Sequence, residues 1–338
     1  MPTLRTRIVK AGFVGALELM RRAGGGMPVA GAAEEELQEY ALAMRAQLET
    51  LAGRLPLGRS VRFQPARDAP VDGLWVADGV AVPPVGDDGI ERALGTESAE
   101  RIVLHLHGGA YVLGSPESHR GLAAALSRTS HAQVFLPRYR LAPEDVFPAA
   151  LDDALASYRW LIESCDFPAD RIAFSGDSAG GGLALAVMFA ARDAGLPLPA
   201  CYLAISPWTD LAATGGSLQE LHAVDPWLSA DLILPAARAY AGDVSLEDPR
   251  LSPLYGDLEG LPPMLVHVGS DEILLDDAVR LVERARNAGV DASLGRFPGL
   301  WHVFQAFPLP ESRSSLRELG AFVRRHTNEP LVGAAAAR

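Results

Sequence analysis

The 338-residue chain predicts an α/β fold, with a mostly parallel central sheet flanked by helices on both faces. Two observations carry that expectation. From Arg101 onward, short runs rich in β-branched and aromatic residues alternate with longer helical stretches, a pattern that needs crossover connections between parallel strands. The glycine-, serine- and histidine-bearing motifs follow directly on those strands, at the carboxyl ends where such sheets bind their ligands.

The first sixty residues read as two helices divided by a glycine-rich break at 24–26. The second helix spans 33–51 and opens with Glu34, Glu35 and Glu36, which suit the positive end of a helix dipole. Short extended segments follow at 61–63 and 73–76. "RIVLHLHGG" (101–109) is a buried apolar strand ending in glycines. Further strands are read in "AQVFLPRY", "RIAFSG", "ACYLAIS", "PMLVHVG" and "ASLGRFPG", with helices at 118–130, 148–163, 178–194, 276–288 and 311–326. More than fifty residues, with a helical run near 228–240, separate the strand at 200–206 from that at 263–268. An insertion of that length at the ligand end reads as a lid. The expected division is N-terminal cap helices at 1–58, a core at 59–206 and 251–330, an inserted cap segment at 207–250 and a disordered tail at 331–338.

Composition narrows the function classes. Hydrophobic residues make up 49% and charged residues 21%, as in globular proteins, and the formal net charge is −12. An acidic surface without clustered Lys and Arg argues against a nucleic-acid partner. Cys165 and Cys201 stand in unrelated contexts, which argues against a disulfide framework or a Cys-rich zinc site and for reduced thiols in a cytoplasmic protein. The apolar stretch at 11–20 is short, contains Glu18 and runs into Arg21 and Arg22 without a cleavage site, so it fits neither a signal peptide nor a membrane span. An amphipathic helix docked on the protein's own body is the expectation, with contact to a membrane surface the less favoured alternative. The sequence sets no oligomeric state, and a homo-oligomer is compatible with it.

The chemistry centres on "FSGDSAGGG" (174–182). Gly176-Asp177-Ser178-Ala179-Gly180 fits the G-x-S-x-G nucleophile elbow, preceded by a strand and followed by a helix. Ser178 must adopt a strained backbone there, and side chains at 176 and 180 would collide with strand and helix. No G-x-G-x-x-G is present, so a dinucleotide site is not expected. Upstream, Gly108, Gly109 and Ala110 after His107 offer backbone N–H groups for an oxyanion, joined by that of Ala179. Each such donor is typically worth ~3 kcal/mol in the transition state.

Together, "HGGAYVLGSPESHR", "YRLAPEDVFPAALDDA", "GDSAGGGLA", "DPRLSPLYGDLEGLPP" and "WHVF" resemble the hormone-sensitive-lipase-like esterases of the α/β-hydrolase superfamily, over about residues 60–325. The likeness is greatest to the bacterial acetyl-esterase and monoterpene-lactone-hydrolase branch. It implies an α/β-hydrolase fold with a helical cap and a serine carboxylic-ester hydrolase. Ala110 departs from the third glycine usual in the family, which should alter pocket shape more than competence.

The base is expected after the last strand, where only His302 of the eight histidines sits. His107 is read as a brace of the oxyanion loop, and His119, His131, His222, His267 and His326 as structural or exposed. For the acid, "HVGSDEILLDD" offers Asp271 and Glu272 side by side, of which only one can face the histidine. Matching the family's D-P-L-x-D motif to Leu274 and Asp276 favours Glu272, with Asp271 the alternate. The order Ser, acid, His is that of α/β hydrolases. Tyr111, Trp208, Trp227, Leu228 and Phe304 are the candidate walls of an apolar substrate pocket. The expected reaction is hydrolysis of short- to medium-chain acyl esters through an acyl-enzyme, with no metal or organic cofactor. A lactone or amide hydrolase with the same triad is the alternative, and a non-catalytic small-molecule receptor a more distant one.

Overall fold

A computed structural model describes residues 2–22, 34–54, 57–83 and 93–328. The tail expected at 331–338 and the break at 24–26 lie outside the described residues. In chain order the elements are α1 (Leu4–Arg22), α2 (Glu34–Arg54), β1 (Arg62–Pro65), β2 (Gly73–Ala77), β3 (Ile102–Leu106), α3 (Pro116–Ser130), β4 (Gln133–Pro137), α4 (Ala149–Arg159), β5 (Ile172–Asp177), α5 (Ala179–Asp193), β6 (Cys201–Ile205), α6 (Ser217–Glu220), α7 (Ala230–Ala241), β7 (Met264–Gly269), α8 (Leu275–Asn287), β8 (Ala292–Phe297) and α9 (Pro310–Asn328). Each strand read from the sequence is present.

The eight strands form one sheet in the order β1-β2-β4-β3-β5-β6-β7-β8. β2 runs antiparallel to both its neighbours, and the pairs from β4 through β8 are parallel. The period of two along each strand sorts its residues between two apolar layers. Ile102, Leu104 and Leu106 of β3 face the larger layer, with Leu151 of α4, Leu183 of α5 and Leu281 of α8. Val103 faces the other, with Leu122 and Leu126 of α3 and Leu319 and Val323 of α9. Burial on both faces is why the central strands read as continuous apolar runs rather than alternating ones.

The register brings the strand ends level. Leu106 lies opposite Gly176, Asp177 opposite Ile205, Ile205 opposite His267, and Gly269 opposite Phe297. The loops carrying the sequence motifs therefore leave the sheet along one edge. α3 starts at that edge with Pro116 in its first turn and a reciprocal cap, in which Ser118 N donates to Ser115 Oγ (3.2 Å) and Ser115 N to Ser118 Oγ (2.9 Å). The cap fixes His119 in the first turn.

Both N-terminal helices dock on the body of the protein. Arg45 of α2 donates to the carbonyls of Val112 and Ala142 (2.8 Å each) and pairs with Glu144. Thr6 of α1 donates to Glu311 of α9 at 2.6 Å. No described helix is long and apolar enough to cross a membrane.

The segment after β6 is pinned by a buried carboxylate. Thr209 N and Asp210 N donate to Asp277 Oδ2 at 2.7 and 2.8 Å, while Asp210 itself accepts from Arg280 (2.9 Å) and Thr214 (2.6 Å). Burial pushes the Asp277 carboxyl up to about 7, against the pull of the two N–H groups and with the added push of Asp210. Between an unfolded-state value of about 3.9 and about 7, the folded protein holds a proton that the unfolded chain has lost, so stability falls as pH rises through that window. Asp277→Asn mimics the protonated form. Chemical denaturation from pH 5 to 8 is expected to show a shallower loss of stability in this variant than in wild type; equal slopes would contradict the assignment.

Candidate active site

Ser178 stands between β5 and α5 with φ 53° and ψ −126°, a left-handed backbone that an ordinary residue avoids. Packing enforces it. A Cβ on Gly180 would strike the carbonyl oxygen of Leu106 at the end of β3, and one on Gly176 would strike the carbonyl of Gly180. The turn is held from the next strand as well, since Ser178 N donates to Ile205 O and Trp208 N donates to Ser178 O, both at 2.9 Å. The seryl side chain is thus presented over the edge of the sheet at the amino end of α5, where unpaired N–H groups favour developing negative charge.

Glu272 and His302 come to the same edge on the loops after β7 and β8. His302 Nδ1 lies 3.7 Å from Glu272 Oε1, and both side chains are buried. That separation is longer than an ordinary hydrogen bond. The other oxygen of Glu272 accepts from Ser206 Oγ at 2.8 Å and Gly269 N at 3.2 Å. Burial raises the Glu272 pKa above the usual carboxylate value, with His302 and Ser206 opposing. Asp271 points elsewhere, with Oδ2 2.7 Å from Lys10 Nζ and Oδ1 accepting from Ser270 Oγ. Of the two adjacent carboxylates, Glu272 is the one that meets the imidazole.

Ser206 was not singled out by the sequence, yet it ties three loops together. Its Oγ donates to Glu272 and accepts from Val303 N at 3.2 Å, and the preceding residue holds Ser178. Asp225 does similar work from the inserted segment, accepting from Trp227 N and Leu228 N through one oxygen and from Ile273 N through the other. A lone serine after a strand and an aspartate before a proline carry no motif, so neither role could be read in advance.

The oxyanion loop needs one correction. Gly108 N donates to Asp177 Oδ1 at 3.1 Å, so its N–H is committed inward rather than to a ligand. Gly109 (φ 128°) and Ala110 (φ 54°) then turn the chain sharply, and Ala179 opens α5 where its N–H has no intrahelical partner. Asp177, the residue before Ser178, also meets His105 Nε2 at 3.1 Å and His119 Nε2 at 3.5 Å. Burial alone would raise the Asp177 carboxyl, but His119 and His105 hold it well below the usual range. Burial alone would lower His119, and Asp177 more than reverses this, leaving its pKa raised. His119, read from the sequence as structural or exposed, therefore belongs to a charged cluster under the elbow. His107 is pushed down to about 3 by burial and by His119. It stacks on Tyr139, whose hydroxyl donates to the His107 carbonyl, so it braces the loop as expected.

The candidate pocket residues separate into four groups. Tyr111 and Trp208 are closed off from solvent beside the oxyanion loop, and Tyr111 stacks face to face on Tyr240 at 3.8 Å. Trp227 is half-buried and stands edge-on to the His302 ring at 6.0 Å. Leu228 joins the main core. Phe304 is not a pocket wall, since it is fully buried in a separate cluster with Leu300, Trp301 and Leu309 and packs on Phe297. Among the described residues, no group of three or more His, Cys, Asp or Glu side chains is arranged to hold a metal ion.

A family model described as the alpha/beta hydrolase fold matches residues 103–306. The chain belongs to the α/β-hydrolase fold family, among the hormone-sensitive-lipase-like esterases. Within that family it is 47% identical over 234 residues to an acetyl-hydrolase of Streptomyces hygroscopicus, covering 68% of this chain and 78% of the relative. It is 35% identical over 283 residues to an esterase of Acinetobacter venetianus, covering 83% of this chain and 88% of the relative. A crystal structure of an esterase from the bacterial hormone-sensitive lipase family superposes with a TM-score of 0.79 at 35% identity, covering 97% of this chain and all of the other.

Among the described residues Asp177 meets Gly108 N, His105 and His119, so substituting it is expected to act on the transition state rather than on substrate binding. Asp177→Asn is expected to lower kcat on a short-chain ester by about tenfold, a fraction of the loss typical for a whole oxyanion donor, with KM little changed. Steady-state kinetics check this, and an unaltered kcat would remove Asp177 from the account.

Proposed function

We propose that this serine carboxylic-ester hydrolase works through Ser178 as nucleophile, His302 as general base and acid, and Glu272 as the carboxylate that orients and stabilises the imidazolium. What supports the assignment is that the strained Ser178 elbow and the loops of the buried His302–Glu272 pair are held by neighbouring residues, Ile205 at the end of β6 and Ser206 after it. In the first step His302 takes the proton of Ser178 Oγ as the oxygen attacks the ester carbonyl. The N–H groups of Gly109, Ala110 and Ala179 receive the oxyanion, and the protonated imidazole passes its proton to the departing alcohol. In the second step His302 deprotonates a water that attacks the acyl-enzyme, and the acid leaves as Ser178 recovers its proton.

The segment 207–250 and the helices α1 and α2 form the cap over this edge in our reading, which the Asp225 and Arg45 contacts support. Next to the Gly108–Ala110 loop, Tyr111 stacks on Tyr240 and lies tilted against Trp208, aromatic rings suited to a small apolar acyl group. With the acetyl-hydrolase among the relatives, this supports short- to medium-chain acyl esters as substrates. The partner is then a small-molecule ester, and the free thiols Cys165 and Cys201 support a cytoplasmic setting.

Hydrolysis of p-nitrophenyl esters from acetate to palmitate, with wild type beside Ser178→Ala, checks the proposal. Activity should peak at the short acyl chains and fall by about 10³-fold or more in the variant. Turnover that survives Ser178→Ala would contradict the triad. Absence of turnover in wild type would favour a binding protein on this scaffold.

A further inference from the structure

The carboxylate that does not meet His302 has both oxygens engaged, and the partners are informative. Asp271 Oδ2 is paired with Lys10 Nζ of α1 at 2.7 Å, and Oδ1 accepts from Ser270 Oγ at 2.8 Å. Ser270 Oγ in turn accepts from Gly299 N at 2.7 Å, three residues before His302. The two loops are also joined through their backbones, with Asp271 N donating to Leu300 O and Ser270 N to Phe297 O, both at 2.9 Å. A continuous hydrogen-bonded path therefore runs from α1 through Asp271 and Ser270 to the loop that carries the imidazole.

The N-terminal segment touches the same loop at two further places, one just before α1 and one on it. Pro2 sits against Gly299, which has φ 75° and where an added Cβ would lie 2.5 Å from the proline ring. Val9 packs on the cluster of Leu300, Trp301, Phe304 and Leu309. Thr3 N and Thr6 Oγ1 anchor the helix start on the two oxygens of Glu311 (2.8 and 2.6 Å). Meanwhile Glu272 Oε1 and His302 Nδ1, 3.7 Å apart, have no other hydrogen-bond partner among the described residues. Their separation is set by where the two loops are held.

We propose that Lys10 and Asp271 are positioning residues, and that their ion pair straps α1 across the acid and histidine loops to hold Glu272 and His302 in register. The inference rests on the triad reading above. Loosening the strap lets residues 270–272 and 299–302 move apart. The imidazolium that forms in each step is then less well stabilised by Glu272, and a misplacement well under an ångström suffices to slow the reaction. Of the charged groups, Asp225 from the inserted segment acts on Glu272, Lys10 of α1 pairs with Asp271 of the acid loop, and Glu311 of α9 is taken up by Thr3 and Thr6.

Two single variants separate positioning from a plain electrostatic effect. Removing a nearby cation should move the acidic limb of the rate profile to higher pH, and removing a nearby anion to lower pH, so direct field effects of Lys10→Ala and Asp271→Asn have opposite signs. Loss of register weakens the Glu272–imidazolium contact in both, and shifts both the same way. The full-length chain and its two variants are compared on p-nitrophenyl acetate, with kcat, KM and the acidic limb of the kcat/KM profile measured, and Tm as a check on folding. Both variants should lose about three- to tenfold in kcat with KM little changed. Both acidic limbs should move to lower pH, and Lys10→Arg should restore the wild-type values. Limbs that move in opposite directions, or kcat unchanged in both variants, would overturn the strap while leaving the triad intact. An inactive wild type would instead refute the triad reading itself. Should Asp271→Asn fail to fold, Lys10→Ala carries the test alone, because its field effect and its positioning effect have opposite signs.

Discussion

The arrangement depends on one backbone constraint, the left-handed turn at Ser178 between β5 and α5. Its cost of about 1–3 kcal/mol is met by the surroundings, which leave no alternative. Gly180 lies so close to the end of β3 that only a hydrogen fits, and the carbonyl of Ile205 and the N–H of Trp208 grip Ser178 from β6. Because β3, β5 and β6 are adjacent parallel strands ending at one level, the Gly108–Ala110 loop and Ser206 leave the sheet beside the Ser178 turn.

Around that turn the loops are held mainly by buried polar groups. Asp177 gathers Gly108, His105 and His119, Ser206 joins Glu272 to Val303, and Asp225 joins the inserted segment to Ile273. Such groups are costly to bury and costlier to leave unpaired, so each fixes its loop more sharply than apolar packing would. The exposed side of the network is the Lys10–Asp271 pair, whose side chains keep 26% and 22% exposure. A pair of this kind adds little stability, and its consequence lies in geometry.

Much of this was legible in the sequence, for identifiable reasons. The strands follow from unbroken apolar runs, and the elbow from glycines that a close approach demands. Ser178 and His302 follow from their places after strands. What could not be read depends on direction in space. Adjacent Asp271 and Glu272 are chemically alike; the motif match favours Glu272, and the turn after β7 is what turns it, and not Asp271, to the imidazole. Gly108 looks like an oxyanion donor by type, yet its N–H is taken by the aspartate beside Ser178. His119 lies far before Asp177 in chain order, on another element, and has no motif of its own. Phe304 follows the histidine closely in sequence, but the short helical turn at Phe304–Ala306 rotates it into the packing behind the site.

The central claim is that an acyl group passes through Ser178 Oγ. The most direct measurement is rapid acid quench of the enzyme during turnover of p-nitrophenyl acetate, followed by mass spectrometry of its peptides. The account predicts a burst of about one equivalent of nitrophenol when deacylation is the slower step, and an acetyl group on the peptide that contains Ser178. Acetyl found on another residue, or a burst that persists in Ser178→Ala, would contradict it.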